Sequence, residues 1–249
     1  MKRVALITGG TGGIGFATAR ELGHEGYHIV LNGIFPDQGV DCVQQLSREG
    51  ISSEFLYFDC TNEEQVNQSI ESIGTKHGKI DVLINAAGGL FGRSEFEGMS
   101  TAFYRSVMAL NLDTVFFVSR ASIPFLKKSE DASIINFTSI AGYNAGGPGA
   151  GVYGTAKGAV MVMTRALAKD LAKHGIRVNA VSPGTIDTPF HQETKNNNPA
   201  LFESWKNSIL MKRFGEASEV ASVISFLVSE KASFITGETI QVNGGQDFL

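Results

Sequence analysis

Tyr153 and Lys157 stand four positions apart in Tyr153-Gly154-Thr155-Ala156-Lys157, at the start of a helical pattern running toward Lys173. On a helix, positions i and i+4 share a face, so the phenol and the ammonium converge on one point. A free tyrosine has a pKa of about 10 and is a poor base at neutral pH. A neighbouring cation favours the phenolate and lowers that value, which suits the hydroxyl to exchanging a proton with a substrate oxygen. The same spacing also describes an ordinary surface aromatic–cation pair, so other residues must decide. Ser139 closes the run Ile134-Ile135-Asn136-Phe137-Thr138. At the carboxyl end of a strand its hydroxyl can donate to an oxygen that gains charge. Asn111 falls inside a long helical pattern, where asparagine is a poor choice. It either holds a water that links Lys157 to solvent or caps an irregularity in the helix.

A second cluster, Thr8-Gly9-Gly10-Thr11-Gly12-Gly13-Ile14-Gly15, follows the first apolar run and opens the first helical pattern. Glycines there permit a tight turn and bring backbone N–H groups close to a pyrophosphate, whose charge the helix N-terminus favours. The spacing of Gly9, Gly13 and Gly15 is wider than the common dinucleotide fingerprint, and Thr11 and Ile14 lie among the expected contacts. A dinucleotide beside a proton-exchanging tyrosine points to hydride transfer with a nicotinamide, whose oxidised ring adds positive charge near the phenol.

An acid about 20 positions beyond such a turn ordinarily holds the adenosine ribose of NAD. Here the second apolar run ends in Asn32-Gly33-Ile34-Phe35-Pro36-Asp37. Asn32 sits at the tip, and Asp37 is equally placed to start the next helix. No arginine or lysine lies between Arg20 and Arg48, so the 2′-phosphate of NADP would lack a partner. NAD(H) is favoured, and NADP(H) stays open.

These residues need a scaffold that carries them to one edge. Short apolar runs at Val4–Ile7, His28–Leu31, Glu54–Phe58, Val82–Ile84, Ser133–Phe137, Arg177–Val181 and Thr239–Val242 read as strands buried on both faces. Helical patterns alternate with them at Ile14–Glu25, Gln38–Glu49, Asn62–His77, Met99–Lys128, Val152–Lys173 and Ser218–Ser229. Thr61 with Glu64 forms a capping-box start for the third helix. The alternation implies an α/β, doubly wound Rossmann-type fold with a parallel sheet, in one domain over residues 1–249. The segment at about 185–212 breaks the rhythm with Asn196-Asn197-Asn198-Pro199 and an amphipathic piece, and reads either as a mobile lid or as a tolerated surface loop.

The 249 residues carry a net charge of −4, which argues against a broad nucleic-acid face. The two cysteines, Cys42 and Cys60, build no disulfide framework. The apolar start is too short for a signal peptide, and nothing approaches a membrane span. A cytoplasmic protein is expected.

Taken in order, these motifs resemble the short-chain dehydrogenase/reductase family over essentially the whole chain. They are the Thr8–Gly15 turn, Asp59, Asn85-Ala86-Ala87-Gly88, then Asn111, Ser139, Tyr153 and Lys157, followed by Pro183-Gly184 with Thr188 and Val242-Asn243-Gly244-Gly245. The resemblance implies a seven-stranded parallel sheet and a homotetramer built through paired long helices and the C-terminal region. It implies that Tyr153 is the general acid/base, that Lys157 lowers its pKa and binds the nicotinamide ribose, that Ser139 orients the substrate oxygen and that Asn111 holds a relay water. Asp59 and the adjacent Cys60 would border the adenine. Asn85, Ala86 and Gly88 would support the cofactor pocket, and Pro183, Ile186 and Thr188 the nicotinamide end. Ala86 departs from the family's Asn-Asn-Ala-Gly motif. The missing acid after the second strand weakens the NAD reading, while Leu31-Asn32-Gly33 is similar to the run in 3-hydroxybutyrate dehydrogenases and partly restores it.

The substrate pocket is expected among the residues after Gly88, Ile140–Gly149 and the lid. Arg93 and His191 are candidates to pair with a carboxylate or phosphate, Asn144 to bind hydroxyls, and Trp205 to wall the cleft. Such a set suits a small oxygenated carbonyl, such as a keto sugar or sugar-derived keto acid. Two alternatives are a 3-oxoacyl thioester reductase, which the sequence also resembles, and a non-catalytic NAD-sensing protein. The usual mark of the latter is loss of the tyrosine, lysine or serine, and all three are present.

Overall fold

Aliphatic and β-branched residues fill the short runs. In the computed structural model, which describes residues 2–248 apart from the side chain of Glu193, these runs form one sheet. The strands are β1 (Val4–Thr8), β2 (His28–Gly33), β3 (Ser53–Tyr57), β4 (Val82–Asn85), β5 (Ser133–Phe137), β6 (Arg177–Pro183) and β7 (Thr239–Val242). All pairings are parallel and the order is β3-β2-β1-β4-β5-β6-β7. The chain builds outward from β1 in one direction and then resumes from β4 in the other. A crevice therefore opens beyond the carboxyl ends of β1 and β4, where ligands bind in open α/β sheets. Thr8 pairs with Asn85, and Asn85 with Asn136, so these strand ends stand level.

The period of two along each strand divides the core. Ala5, Ile7, Ile29 and Leu31 face α1 (Gly13–His24), α2 (Pro36–Arg48) and α10 (Ala217–Val228), packing with Ala19, Leu22, Leu46 and Ile224. Val4, Leu6 and Val30 face α3 (Glu63–His77), α5 (Thr114–Leu126) and α7 (Gly151–Leu171), against Val66, Ile70, Val118 and Leu171. Each of the valine, leucine and isoleucine side chains contributes about 1.5–3 kcal/mol by leaving water, so two dry faces hold the strand ends in register.

Two local readings change and one open alternative is decided. The cap of α3 is Asn62, whose Oδ1 accepts the Gln65 N–H at 3.1 Å. Thr61 cannot serve, because its N–H and hydroxyl both donate to Asp59 Oδ1 at 2.8 Å. Asp37 lies in the first turn of α2, behind Pro36, and so belongs to the helix start. The pattern Met99–Lys128 is two helices, α4 (Thr101–Met108) and α5, joined by a π-helical segment Ala109–Asp113. There the Thr114 N–H reaches back five residues to the Ala109 carbonyl, while the Thr114 hydroxyl takes the Leu110 carbonyl at 2.8 Å. The extra residue in that turn carries Asn111 inward.

The segment after β6 is pinned at its base by a bridge between Ile186 and Gly215. Above it lie a tight turn Pro189–His191, α8 (Gln192–Asn197) and α9 (Pro199–Ser208), with Asn198 Oδ1 capping α9 through the Leu201 N–H at 3.0 Å. Two short helices, α6 (Ala141–Asn144) and α8, complete the elements around the crevice. Among the described residues no helix is long and apolar enough to cross a membrane.

Candidate active site

The glycine turn is built by close approach. Gly9 has φ +62°, and a Cβ there would lie 2.9 Å from the Ala87 nitrogen, so only glycine lets this turn pass the loop after β4. A Cβ on Gly15 would meet the Gly9 carbonyl oxygen at 2.3 Å, so α1 presses directly onto the turn. That helix starts at Gly12 with no side-chain cap and no acid in its first turn. Among the described residues, the N–H groups of Gly13, Ile14 and Gly15 find no protein acceptor. Three free donors at the positive end of a helix form a seat for an anion, and a dinucleotide pyrophosphate fits it.

Around this seat the expected cofactor residues divide. Thr188 lies over the turn, its side chain 3.6 Å from where a Gly13 Cβ would sit. Thr11 donates through Oγ1 to Gln38 Oε1 at 3.2 Å, which brings the start of α2 against the turn. Asp59 spends Oδ1 on Thr61, leaving Oδ2 without a protein donor among the described residues. Ala86, Ala87 and Gly88 border the crevice, and Pro183 ends β6 with its carbonyl accepting the Ile140 N–H at 3.3 Å.

The Asn32 side chain is a correction, while Cys60 and Ile186 have their side chains turned inward and offer only backbone to a cofactor. Asn32 is buried, with Nδ2 donating to the Phe58 carbonyl at 2.8 Å and Oδ1 accepting from Cys60 Sγ at 3.1 Å. Its side chain points into the sheet to satisfy carbonyls at and beyond β3, which turns it away from a ribose and holds the Cys60 thiol inward, away from an adenine. The Ile186 side chain is buried in the core, so only its backbone borders the site. Asn85 is also turned inward, donating through Nδ2 to Ser119 Oγ at 3.0 Å and Asn136 Oδ1 at 2.9 Å. Asn136 Nδ2 then donates to Thr164 Oγ1 at 3.0 Å, which ties β4, β5, α5 and α7 together beneath the catalytic residues.

Lys157 is buried on α7 with Nζ 5.7 Å from the centre of the Tyr153 ring, and it donates to the Phe137 carbonyl at 3.1 Å. Ser139, two residues past β5, accepts the Ala141 N–H at 3.1 Å, and its side chain lies close enough to Tyr153 to lower its pKa. One turn of α7 and one strand end therefore meet, as the i, i+4 spacing implies. The expected lowering of the tyrosine pKa is not the balance the chain itself sets. Burial pushes Tyr153 up to about 12, and the Ser139 side chain opposes that only in part. Burial likewise pushes Lys157 down to about 8.

Asn111 is fully buried in the π-helical turn. Its Oδ1 accepts the Gly89 N–H at 3.1 Å, and its Nδ2 donates to the carbonyls of Gly89 at 2.7 Å and Val107 at 2.9 Å. The residue marks a helix irregularity, which is one of its two sequence readings, and its side chain is tied to the loop after β4. A Cβ on Gly88 would fall 3.0 Å from Asn111 Oδ1 and 3.1 Å from Lys157 Nζ, which places both beside the loop after β4.

Of the expected substrate residues, His191 and Trp205 meet in one aromatic cluster and Arg93 lies within charge range of it, with changed roles. Phe190 packs 6.3 Å from the Tyr153 ring centre, and His191 lies 4.9 Å from Phe190 and 5.7 Å from Trp205. Phe202 is buried within the same cluster, 4.3 Å from Phe214. His191 is thus an aromatic partner; burial pushes its pKa down to about 4, so it is neutral near pH 7 and cannot supply the expected cation. Asn144 is spent on Asp247 Oδ2 at 2.6 Å and on the Gly146 N–H at 2.9 Å, which removes it from hydroxyl recognition. Arg93 donates one N–H to the Pro148 carbonyl at 2.9 Å and otherwise stays exposed, close enough for its charge to act on His191. Gln38 and Asn136 were missed. A polar residue inside the apolar run Ile134–Phe137 was the available signal for Asn136; nothing local marked Gln38.

Residues 9–247 match a family model described as Enoyl-(Acyl carrier protein) reductase. The chain is 34% identical over 243 residues to a cyclopentanol dehydrogenase of Comamonas sp., covering 98% of this chain and 96% of that one. It is 34% identical over 245 residues to a 3-oxoacyl-(acyl-carrier-protein) reductase of Thermotoga maritima, covering 98% and 97%. Among solved structures, an NADH-dependent reductase responsible for alginate metabolism superposes with a TM-score of 0.90 at 36% identity, covering 100% of this chain and 98% of that one.

Proposed function

The chain belongs to the short-chain dehydrogenase/reductase family of NAD(P)(H)-using oxidoreductases, and from that premise we propose that it interconverts a small oxygenated carbonyl and its secondary alcohol with NAD(H). The observation that carries the reading is the meeting of Tyr153, Lys157 and Ser139 beside an anion seat with three free N–H groups.

Gly13, Ile14 and Gly15 hold the pyrophosphate, Asp59 the adenine, Lys157 the nicotinamide ribose and Thr188 the carboxamide. The bound nicotinamide supplies or accepts the hydride. Ser139 donates to the substrate oxygen and fixes it against Tyr153, which gives that oxygen a proton during reduction and takes it back during oxidation. The Lys157 ammonium stabilises the phenolate left behind. Asn111 anchors the Gly88–Gly89 backbone alongside Lys157 and thereby positions it. Phe190 and the His191–Phe202–Trp205 cluster shield the reacting carbon from water.

NAD(H) is supported by the absence of any lysine or arginine between Arg20 and Arg48 and by a neutral amide, Gln38, against the turn beyond β2. Arg93, the exposed cation near the aromatic mouth, supports a substrate with a carboxylate, such as a keto sugar acid. The NADH dependence of the alginate-metabolism reductase is in keeping with the cofactor reading. The Thermotoga relative favours a second reading, reduction of a 3-oxoacyl thioester. The same proposal includes a homotetramer, for which Phe116 of α5 and Val162 of α7 offer exposed apolar surface on the long helices.

Turnover of 2-keto sugar acids and 3-oxoacyl thioesters with NADH and NADPH, run beside Tyr153→Phe, tests the reading. NADH-linked reduction of a keto sugar acid, lost in the variant, is expected. Full activity in Tyr153→Phe removes the catalytic assignment, and activity confined to acyl thioesters with NADPH removes the substrate and cofactor.

A further inference from the structure

The opposite end of the sheet carries a cluster that the hydride chemistry does not use. His28 begins β2, Glu54 lies in β3 and His77 ends α3. Val30 pairs with Glu54 in the β2–β3 register, so His28, two residues before Val30, and Glu54 point to the same face, the one α3 covers. The strand geometry puts this cluster roughly 16 Å along β2 from the crevice. All three side chains are largely withdrawn from solvent, at 17% exposed for His28, 27% for Glu54 and 15% for His77.

Both imidazoles aim Nε2 at one carboxylate oxygen. His77 Nε2 is 2.6 Å from Glu54 Oε1, and His28 Nε2 is 3.4 Å from the same atom. The three atoms lie within 4.8 Å of one another. In a tetrahedral site with bonds of about 2.0–2.1 Å, neighbouring ligand atoms stand about 3.3–3.4 Å apart. One of the three edges already has that length, and the His77–Glu54 edge must open by less than about 1 Å.

The surroundings also match a metal site. His28 Nδ1 meets Ser52 Oγ at 2.8 Å, the type of outer hydrogen bond that fixes a ligating ring and leaves its other nitrogen for the ion. Lys76 pairs with Glu54 Oε2, so Oε1 is the oxygen left to ligate. A cavity of about 250 Å³, lined by Lys2, Val4, His28, Lys76 and His77, opens beside the rings and gives an entry path and room for a water as fourth ligand.

We propose that His28, Glu54 and His77 form a site for a divalent transition ion of the zinc class, clamping the outer strands β2 and β3 to α3. Two imidazoles and one carboxylate select zinc, cobalt, nickel or copper over magnesium and calcium, which prefer all-oxygen shells. The neighbouring Lys76 and Lys2 ammonium groups oppose the added charge and keep the affinity moderate. The ion's role is structural, since it sits at the amino ends of the strands while the chemistry sits at their carboxyl ends.

The full chain, freed of metal with a chelator, is titrated with Co2+ and Zn2+. The wild type is expected to develop the visible bands of tetrahedral cobalt at one equivalent. A hundredfold excess of Zn2+ over Kd is expected to raise Tm by roughly 5–10 °C. Glu54→Gln and His77→Gln, checked as folded by circular dichroism, should lose the bands and the shift. His24→Gln, which alters the other His–Glu pair at His24 and Glu49, should keep both. Absence of tetrahedral bands in the wild type overturns the proposal, as does an equal response in the Glu54 and His77 variants. Neither result touches the hydride chemistry.

Discussion

Replacing Lys157 by methionine should inactivate the protein and stabilise it, and the size of the gain can be worked from the burial of the amine. Lys157 is 4% exposed, and its pKa falls from 10.5 to about 8 on folding because the charged form is desolvated. Each unit of such a shift corresponds to about 1.4 kcal/mol, so keeping the ammonium in the folded chain at pH 7 costs about 3 kcal/mol. Methionine has a similar length, carries no charge and gives up the hydrogen bond to the Phe137 carbonyl, a loss of about 1 kcal/mol. The net gain is about 2 kcal/mol near pH 7, or roughly 4–8 °C in Tm for a chain of this size.

The sign reverses with pH. Between about 8 and 10.5 the folded wild type has released this proton while the unfolded chain still binds it, so wild-type stability rises relative to the variant. Above about 10.5 both states hold a neutral amine and only the lost hydrogen bond remains, so the variant becomes slightly the weaker. Urea titrations of both proteins from pH 7 to 11, taken as a difference, cancel every other titrating group. A variant less stable than wild type at pH 7, or a difference that stays flat between pH 8 and 10.5, refutes the reasoning.

Three further outcomes follow from the same geometry. Asn111→Ala removes three hydrogen bonds in a buried turn and should cost about 3 kcal/mol in urea unfolding together with most of the turnover; lost activity at full stability would instead make the residue a direct participant. Gly88→Ala inserts a methyl 3.1 Å from Lys157 Nζ and should lower kcat/KM about tenfold or more, through overpacking, with a stability loss of about 1–3 kcal/mol. Gln38→Arg places a cation against the turn that holds Thr11 and should move the kcat/KM ratio toward NADPH by about tenfold, measured as initial rates with each cofactor.

The fold was legible because strand and helix periods differ and each strand here is buried on both sides. The catalytic pair was legible because four residues make one helical turn. Inward-facing polar groups were harder to read. Asn32 sits where a ribose contact is expected, yet its side chain turns to unsatisfied carbonyls near β3, a choice fixed by hydrogen bonds to residues 24 and 26 positions away. His191 reads as a cation in the sequence, but three aromatic rings from two parts of the lid desolvate it. The π-helical turn at Asn111 left only the trace of an asparagine in a helix. Its cause lies across space, in the Gly89 backbone that the side chain holds.

The electrostatics of Tyr153 and Lys157 also bear on how the site divides its labour. Burial alone favours the neutral form of each, so the resting pair near pH 7 is a protonated phenol beside an ammonium that burial has made easier to discharge. That inventory suits proton donation directly: a phenol held at about 12 keeps its proton until an oxygen that is gaining charge arrives at Ser139. The opposite direction must first create a phenolate that the chain disfavours, and the Lys157 charge is the chain's own compensation for it. At about pH 8 that charge is already half gone. The two demands pull apart, since higher pH helps deprotonate the phenol while removing the ammonium that would stabilise it. A buried lysine whose pKa falls near 8 therefore sets a ceiling on what alkaline conditions can add to alcohol oxidation, while reduction near neutrality uses both groups in the states the fold already supplies.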